Sequence, residues 1–297
     1  MDKMRPAITL LITLSVIATM IALMGVMFKY LDVTRAKAEI KASMIQSNLL
    51  RADMSKLLRQ ILGKKPSKST LQTLFETPLA LSTENGEFGM GISCSPLANR
   101  VNIAWLGLEN NRKKQKHYML AEALFEMLTE NVNLRDAEAL KERIVEAIKE
   151  KYSTTFGVPS RINKKKGIIS FRKFQQILDD YRYATEDERV YRIPWQKYFN
   201  FGVGTQEIDG DFISSDLLAF LYDVELNVVH ENYQMGALNA FLSEIGESRA
   251  TYQWLFSKKA LPIVRCRASY QFRKGSYGFV FNYVDGRIEG FEFFDNK

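Results

Sequence analysis

Histidine and cysteine are both scarce, with two of each in 297 residues. The two histidines, His117 and His230, stand in unrelated contexts. No His-Glu-x-x-His, Cys–His metal spacing, Gly-x-Ser-x-Gly elbow or phosphate-binding glycine loop occurs, so nothing nominates an enzyme. Two cysteines, Cys94 and Cys266, are too few for a disulfide framework. They either pair within an exported domain or stand as two separate buried thiols. Proline is also sparse, at seven residues, and 46% of the chain is hydrophobic against 25% charged. That composition excludes a disordered tract and is enough for one or two packed domains. Internal repeats and low-complexity segments are absent. The net charge of +7 is spread along the chain. Its local runs, Arg112-Lys113-Lys114 and Lys164-Lys165-Lys166, read as solvated linkers rather than a nucleic-acid groove.

The most informative absence is of charge between Arg5 and Lys29. A helix from Ala7 to Phe28 would span roughly 33 Å, close to the hydrocarbon thickness of a bilayer. Pro6 sits where a helix accepts proline, in its first turn. A cleaved signal peptide has a shorter apolar region and a small-x-small site after it; this run is longer and continues into Lys29-Tyr30-Leu31-Asp32. It is therefore read as a membrane anchor. Orientation stays open on charge alone: Lys3 and Arg5 stand on one side, and Lys29, Arg35, Lys37 and Lys41, offset by Asp32 and Glu39, on the other.

Residues 26–62 contain neither glycine nor proline. Ile40, Met44, Leu50, Met54, Leu57, Leu58 and Ile61 recur at three- and four-residue steps, predicting that the anchor helix continues with one apolar stripe. The stripe is either the seam to the chain's own domain or an assembly surface. Gly63 and Pro66 stop the helix. Residues 69–76 read as a short helix, then Glu87–Cys94 and Arg100–Leu106 alternate as strands. Helices are expected over 117–128 and 136–148, with Asn133 and Asp136 as N-cap candidates, and over 170–181 behind Ser170. Further helical turns are expected over 186–199, 214–223 and 235–245. The last forty residues alternate over 261–272, 276–284 and 287–294, with an Asp285-Gly286 hairpin turn. The expected fold class is α+β: a long N-terminal transmembrane and assembly helix, then an antiparallel sheet with an inserted helical domain. The segments are a short leader (1–6), the helix (7–62), the first strands (63–108), the helical insertion (109–200) and a mixed region ending in antiparallel strands (201–297).

Two local clusters admit a ligand. Asp209, Asp211 and Asp216 are oxygen donors of the kind calcium takes, although they do not fit an EF-hand loop and carboxylates before a helix also serve as caps. Arg273 and Lys274, with Gly275 to Gly278 and the aromatics Tyr270, Phe272, Phe279 and Phe281, would suit base stacking. A hairpin with its aromatics packed inward explains the same residues.

The order of elements resembles the minor pseudopilins of bacterial type II secretion, in the general secretion pathway protein K family. Arg5 through Leu62 is similar to that family's opening helix, which has no glutamate at the fifth mature position. Asn99 to Leu106 resembles its strand before the insertion. Gly167 to Leu178, Val190 to Tyr198 and Ile208 to Leu221 resemble segments within it. The chain departs from the family at the processing site, where Pro6-Ala7 stands in place of a glycine. The family's calcium ligands cannot be placed residue by residue, so none is carried over. The resemblance implies a non-enzymatic subunit at the tip of a periplasmic pseudopilus, without a cofactor unless calcium. Its partners would be other minor pseudopilins, the secretion platform, and the bilayer through residues 7–28. It also implies a single-pass inner-membrane protein with a cytoplasmic N-terminus and a periplasmic C-terminal domain. The alternative is a membrane-anchored periplasmic binding module of a DNA-uptake or type IV pilus-like system, whereas the favoured reading has no nucleic-acid partner.

Overall fold

A computed structural model describes residues 4–63, 66–82, 89–149, 167–168, 170–202, 207–272 and 275–295. Helix α1 runs unbroken from Met4 to Leu62, about 90 Å at 1.5 Å per residue. It ends where Gly63 adopts a left-handed φ of 56° and its amide bonds the Arg59 carbonyl at 3.0 Å, a common glycine stop. Helix α2 (Lys68–Glu76) follows, capped by the Ser67 hydroxyl.

Strands β1 (Leu79–Ser82) and β2 (Gly89–Pro96) come next, then β3 (Val101–Asn102). The alternation over 100–106 yields only those two residues of strand. Asn102 accepts a hydrogen bond from the Ala104 amide at 2.9 Å and turns 103–108 into a 3₁₀ helix. Its Ile103, Trp105 and Leu106 are buried together, a pattern that imitates a strand on paper. Helices α3 (Gln115–Asn131), α4 (Ala137–Lys149) and α5 (Phe171–Thr185) form a block. Asp136 accepts from the Ala139 amide at 3.0 Å at the start of α4. Asn133 does not cap that helix: it takes φ 49° just past the end of α3. Short elements complete the block: α6 (Trp195–Tyr198), β4 (Phe199–Asn200), α7 (Ser215–Tyr222), α8 (Leu226–Asn232) and α9 (Leu238–Glu244). Strands β5 (Val264–Phe272), β6 (Gly275–Val284) and β7 (Arg287–Asp295) close the chain.

The main sheet is antiparallel in the order β1-β2-β5-β6-β7, while β3 and β4 form a separate parallel pair. Strands β2 and β5 are neighbours, and their last register pair is Pro96 with Val264. Just beyond it the Leu97 amide bonds the Ile263 carbonyl at 3.1 Å. The described residues between 97 and 263 therefore lie on the far side of one neck, and they include segments on both sides of the expected 109–200 insertion. The reason is packing: Val101, Trp105, Ile208, Leu217, Phe241 and Leu255 share one core with Phe125, Phe174 and Trp195. A second core lies between the main sheet and the lower half of α1. Phe212 bridges the two bodies, leaving the insertion to pack edge-on to Phe75 of α2 at 5.0 Å.

The β6–β7 turn is Asp285-Gly286, with φ of 49° and 78°, the doubly positive geometry of a type I′ hairpin. Strand β7 does not alternate throughout. Val280 opposes Glu292 while Asn282 opposes Glu289, so a bulge intervenes, with Gly290 at φ 57°. The extra residue resets the parity, which lets Ile288, Phe291 and Phe293 all reach the same core.

Candidate functional site

The functional candidate is α1 together with the surfaces it covers. Every described side chain from Leu10 to Arg35 is exposed, including Leu14, Ile17, Ile21, Leu23 and Phe28. A bare apolar cylinder of that length is long and apolar enough to cross a membrane. Within it, the Thr13 and Thr19 hydroxyls donate to carbonyls of Leu10, Ser15 and Val16, which satisfies them without water. The backbone at Pro6 and Ala7 is helical; their side chains lie outside the described residues.

Below the apolar cylinder, α1 lies on the sheet. Leu50, Met54, Leu58 and Leu62 are buried against Phe279, Phe281 and Tyr283, while Ile40 and Leu57 pack partly there and Ile61 is half-buried. Much of the expected stripe is thus occupied by the chain's own domain. Met44 is not: it is 48% exposed, on an outer face with Ile45 and Leu49 at 64% and 61%. In line with the buried leucines sit Ser43 and Ser47, both at 0% exposure. Their hydroxyls meet the Tyr270 hydroxyl of β5 at 2.7 and 2.6 Å, and that hydroxyl also donates to the Ser43 carbonyl at 2.8 Å. A polar cluster inside an apolar seam works only in one register, because any slip strands its hydroxyls away from partners. Apolar periodicity could not show these serines; their i, i+4 spacing along the line of Leu50 and Met54 was the available signal.

Cys94 and Cys266 are register partners across β2 and β5 and are joined by a disulfide. Both point into the core under α1, so the bond lies at the neck of the insertion and beneath the helix.

The remaining candidates are dispersed. Asp209 is buried and accepts from the amides of Asp211 and Leu261 at 3.2 and 2.9 Å; burial pushes its carboxyl above the ordinary range. Asp211 faces Lys68 at 3.3 Å and Arg249 at 3.6 Å, and Asp216 faces Lys197 at 3.6 Å. These carboxylates take amides and cations of the protein itself. Among the described residues no group of three or more His, Cys, Asp or Glu is placed to hold a metal. Tyr270, Phe279 and Phe281 are buried under α1, so they offer no face to a base; Arg273, Lys274 and Lys164 to Lys166 lie outside the described residues. His117 stands edge-on between Trp105 and Trp254 at 4.7 and 5.1 Å.

This arrangement has a counterpart among solved structures. A chain in "The Crystal Structure of the GspK-GspI-GspJ complex from enterotoxigenic Escherichia coli Type 2 Secretion System" matches with a TM-score of 0.54 at 12% identity, over 89% of this chain and 99% of that one. The fold is pseudopilin-like. A scan against protein-family models finds no match, and a search of curated proteins finds none either. The likeness is carried by the tertiary structure.

Proposed function

We propose that this chain is a minor pseudopilin of the general secretion pathway protein K type: a non-enzymatic subunit at the tip of a periplasmic pseudopilus serving type II secretion. The observation that carries the reading is the structural match to a chain of the GspK-GspI-GspJ complex, which spans 89% of this chain and 99% of that one. Three features support it. The span from Leu10 to Leu31 has no cover of its own, so it needs lipid before assembly and an apolar bundle after it. Met44, Ile45 and Leu49 extend that bare surface past the membrane on the side away from the sheet, where neighbouring helices of other pseudopilins would lie. The Cys94–Cys266 disulfide suits an oxidising compartment, which supports a periplasmic domain with a cytoplasmic N-terminus.

The test is genetic and biochemical. Deleting the gene should abolish type II secretion, and the full-length wild-type chain should restore it and co-purify with other pseudopilins from detergent. Ile45→Glu with Leu49→Glu should fold but restore neither. Intact secretion after deletion overturns the reading. Steeply salt-sensitive DNA binding by the full-length chain would instead favour the DNA-uptake alternative.

A further inference from the structure

Helix α1 gives the domain a direction. Ser43 and Ser47 meet Tyr270 near the end of β5, whereas Arg59 Nη2 donates to the Gly286 carbonyl at the β6–β7 turn at 3.1 Å. The neck and that turn therefore lie at the end of the sheet farthest from the bare apolar span. From Phe28 to Leu62 the helix rises about 50 Å.

At this far end two hollows adjoin. One, of about 820 Å³, lies between Pro66, Lys68 and residues 253–262; the other, of about 550 Å³, lies between Arg59, Tyr283 and Arg287, and Pro262 lines both. Together they form one groove beside the neck. Its wall is held from behind. The Ser257 amide donates to the Ile208 carbonyl at 2.8 Å, the Arg249 guanidinium to the Ser257 carbonyl at 2.9 Å, and the Leu261 amide to the Asp209 carboxylate at 2.9 Å. Lys258 and Lys259 sit between these anchors and are exposed.

The charge on the groove is one-sided. Among the described residues, five cations line it (Arg59, Lys68, Lys258, Lys259 and Arg287) against the carboxylates Glu207, Asp211 and Asp285. Asp211 is already engaged, by Lys68 at 3.3 Å and by Arg249 at 3.6 Å. Lys258, Lys259 and Arg287 have no ion-pair partner among the described residues. Lys116 adds a further cation, over the Trp254 ring at 5.9 Å. Between the charges lie the half-buried apolar side chains of Pro66, Leu261 and Pro262.

We infer that this groove is a docking surface for an acidic polypeptide segment of a partner protein, its carboxylates meeting Lys258, Lys259 and Arg287 and its apolar side chains resting on Leu261 and Pro262. Charge complementarity selects such an occupant and steers it in. Nucleic acid fits less well, because it binds basic grooves by stacking bases on free aromatic faces. Here Phe256 and Tyr283 are buried, and Trp254 is engaged by His117 at 5.1 Å as well as by Lys116. Lipid headgroups are too far away, since the length of α1 beyond Phe28 is several times a Debye length of roughly 10 Å. The inference rests on α1 as the anchor and not on the pseudopilin reading, which the deletion phenotype tests separately.

The experiment is calorimetric titration of the full-length protein in uncharged detergent. The probes are the peptide acetyl-Glu-Leu-Glu-Pro-Glu-Leu-Glu-amide, its counterpart with glutamine for glutamate, and a thymidine oligonucleotide of equal charge. The acidic peptide should bind at low ionic strength, lose affinity severalfold as salt rises, and bind about tenfold or more tighter than the glutamine peptide. Lys258→Glu with Lys259→Glu should weaken it by about tenfold or more. Arg172→Glu with Arg192→Glu, the same change of net charge at exposed positions outside the groove, should leave affinity within about twofold. On wild type alone, bound peptide should protect Lys258 and Lys259, but not the exposed Lys149, from acetylation read by mass spectrometry. Absence of binding, equal binding of the glutamine peptide, equal losses in the two double variants, or unprotected Lys258 and Lys259 overturns the inference. Tighter binding of the oligonucleotide overturns it in favour of nucleic acid.

Discussion

Replacing Cys94 and Cys266 together by alanine separates the insertion core from the sheet core. Both cysteines belong to the sheet core, at 5% and 0% exposure, and they are 172 residues apart in sequence. If the insertion unfolds with the sheet, the disulfide closes that whole loop, and chain entropy sets its contribution at about 5 kcal/mol. The insertion has its own core, however, and its ends meet at the Leu97–Ile263 neck. If it stays folded while the sheet opens, the loop is in effect roughly eight residues, and the contribution drops to about 2.5 kcal/mol. The assay is urea unfolding of the full-length chain in detergent. All three tryptophans, Trp105, Trp195 and Trp254, lie in the insertion, so their fluorescence reports that body, while far-ultraviolet circular dichroism adds the sheet and α1. At a urea dependence of about 2 kcal/mol per molar, the sheet transition should move down by roughly 1.2 M. The tryptophan transition should stay in place. A shift of the sheet transition below about 0.5 M would refute the loop argument; equal shifts of both would show that the two cores unfold as one.

Two further outcomes test the interior. Tyr270→Phe should destabilise the sheet body by about 1–3 kcal/mol, because it deprives two buried serine hydroxyls of their partner, and adding Ser43→Ala and Ser47→Ala should recover part of that loss; additive losses in urea midpoint would contradict the network. Asp187 accepts from the Arg189 side chain at 2.7 and 2.8 Å and from the Arg135 amide at 2.9 Å, which holds its carboxyl well below the usual range. A depressed folded value means that its stabilisation is complete above the unfolded carboxylate pKa near 4 and fades as pH falls toward the folded value. Tryptophan-monitored stability of the insertion should therefore decline below about pH 4 in wild type and more gently in Asp187→Asn, and matching acid profiles would exclude the role.

Much of this architecture is local and was legible in the chain. The span from Ala7 to Phe28 is declared by missing charge, because no neighbour is needed to make a charge unwelcome in lipid. Ser170 and Ser214 cap helices, and Asp285-Gly286 makes its hairpin, since caps and tight turns depend on a few adjacent dihedrals. Other features needed the fold. Periodicity placed Met44 with Leu50 and Met54, but the sheet turned it outward and buried Ser43 and Ser47 instead, because Tyr270, 227 residues from Ser43, supplies the hydroxyl that makes serine acceptable there. The alternation of β7 breaks at Gly290 to bring Phe291 inward. The joining of Cys94 to Cys266 and the neck at Leu97 and Ile263 both follow from the placement of β2 beside β5. Such pairings are decided by packing free energy across long sequence distances, and no short window of residues contains them. Sequence alone determined that this protein has a membrane-length helix and no recognisable catalytic motif; tertiary structure decided which face of that helix is spent on its own domain and which is left for others.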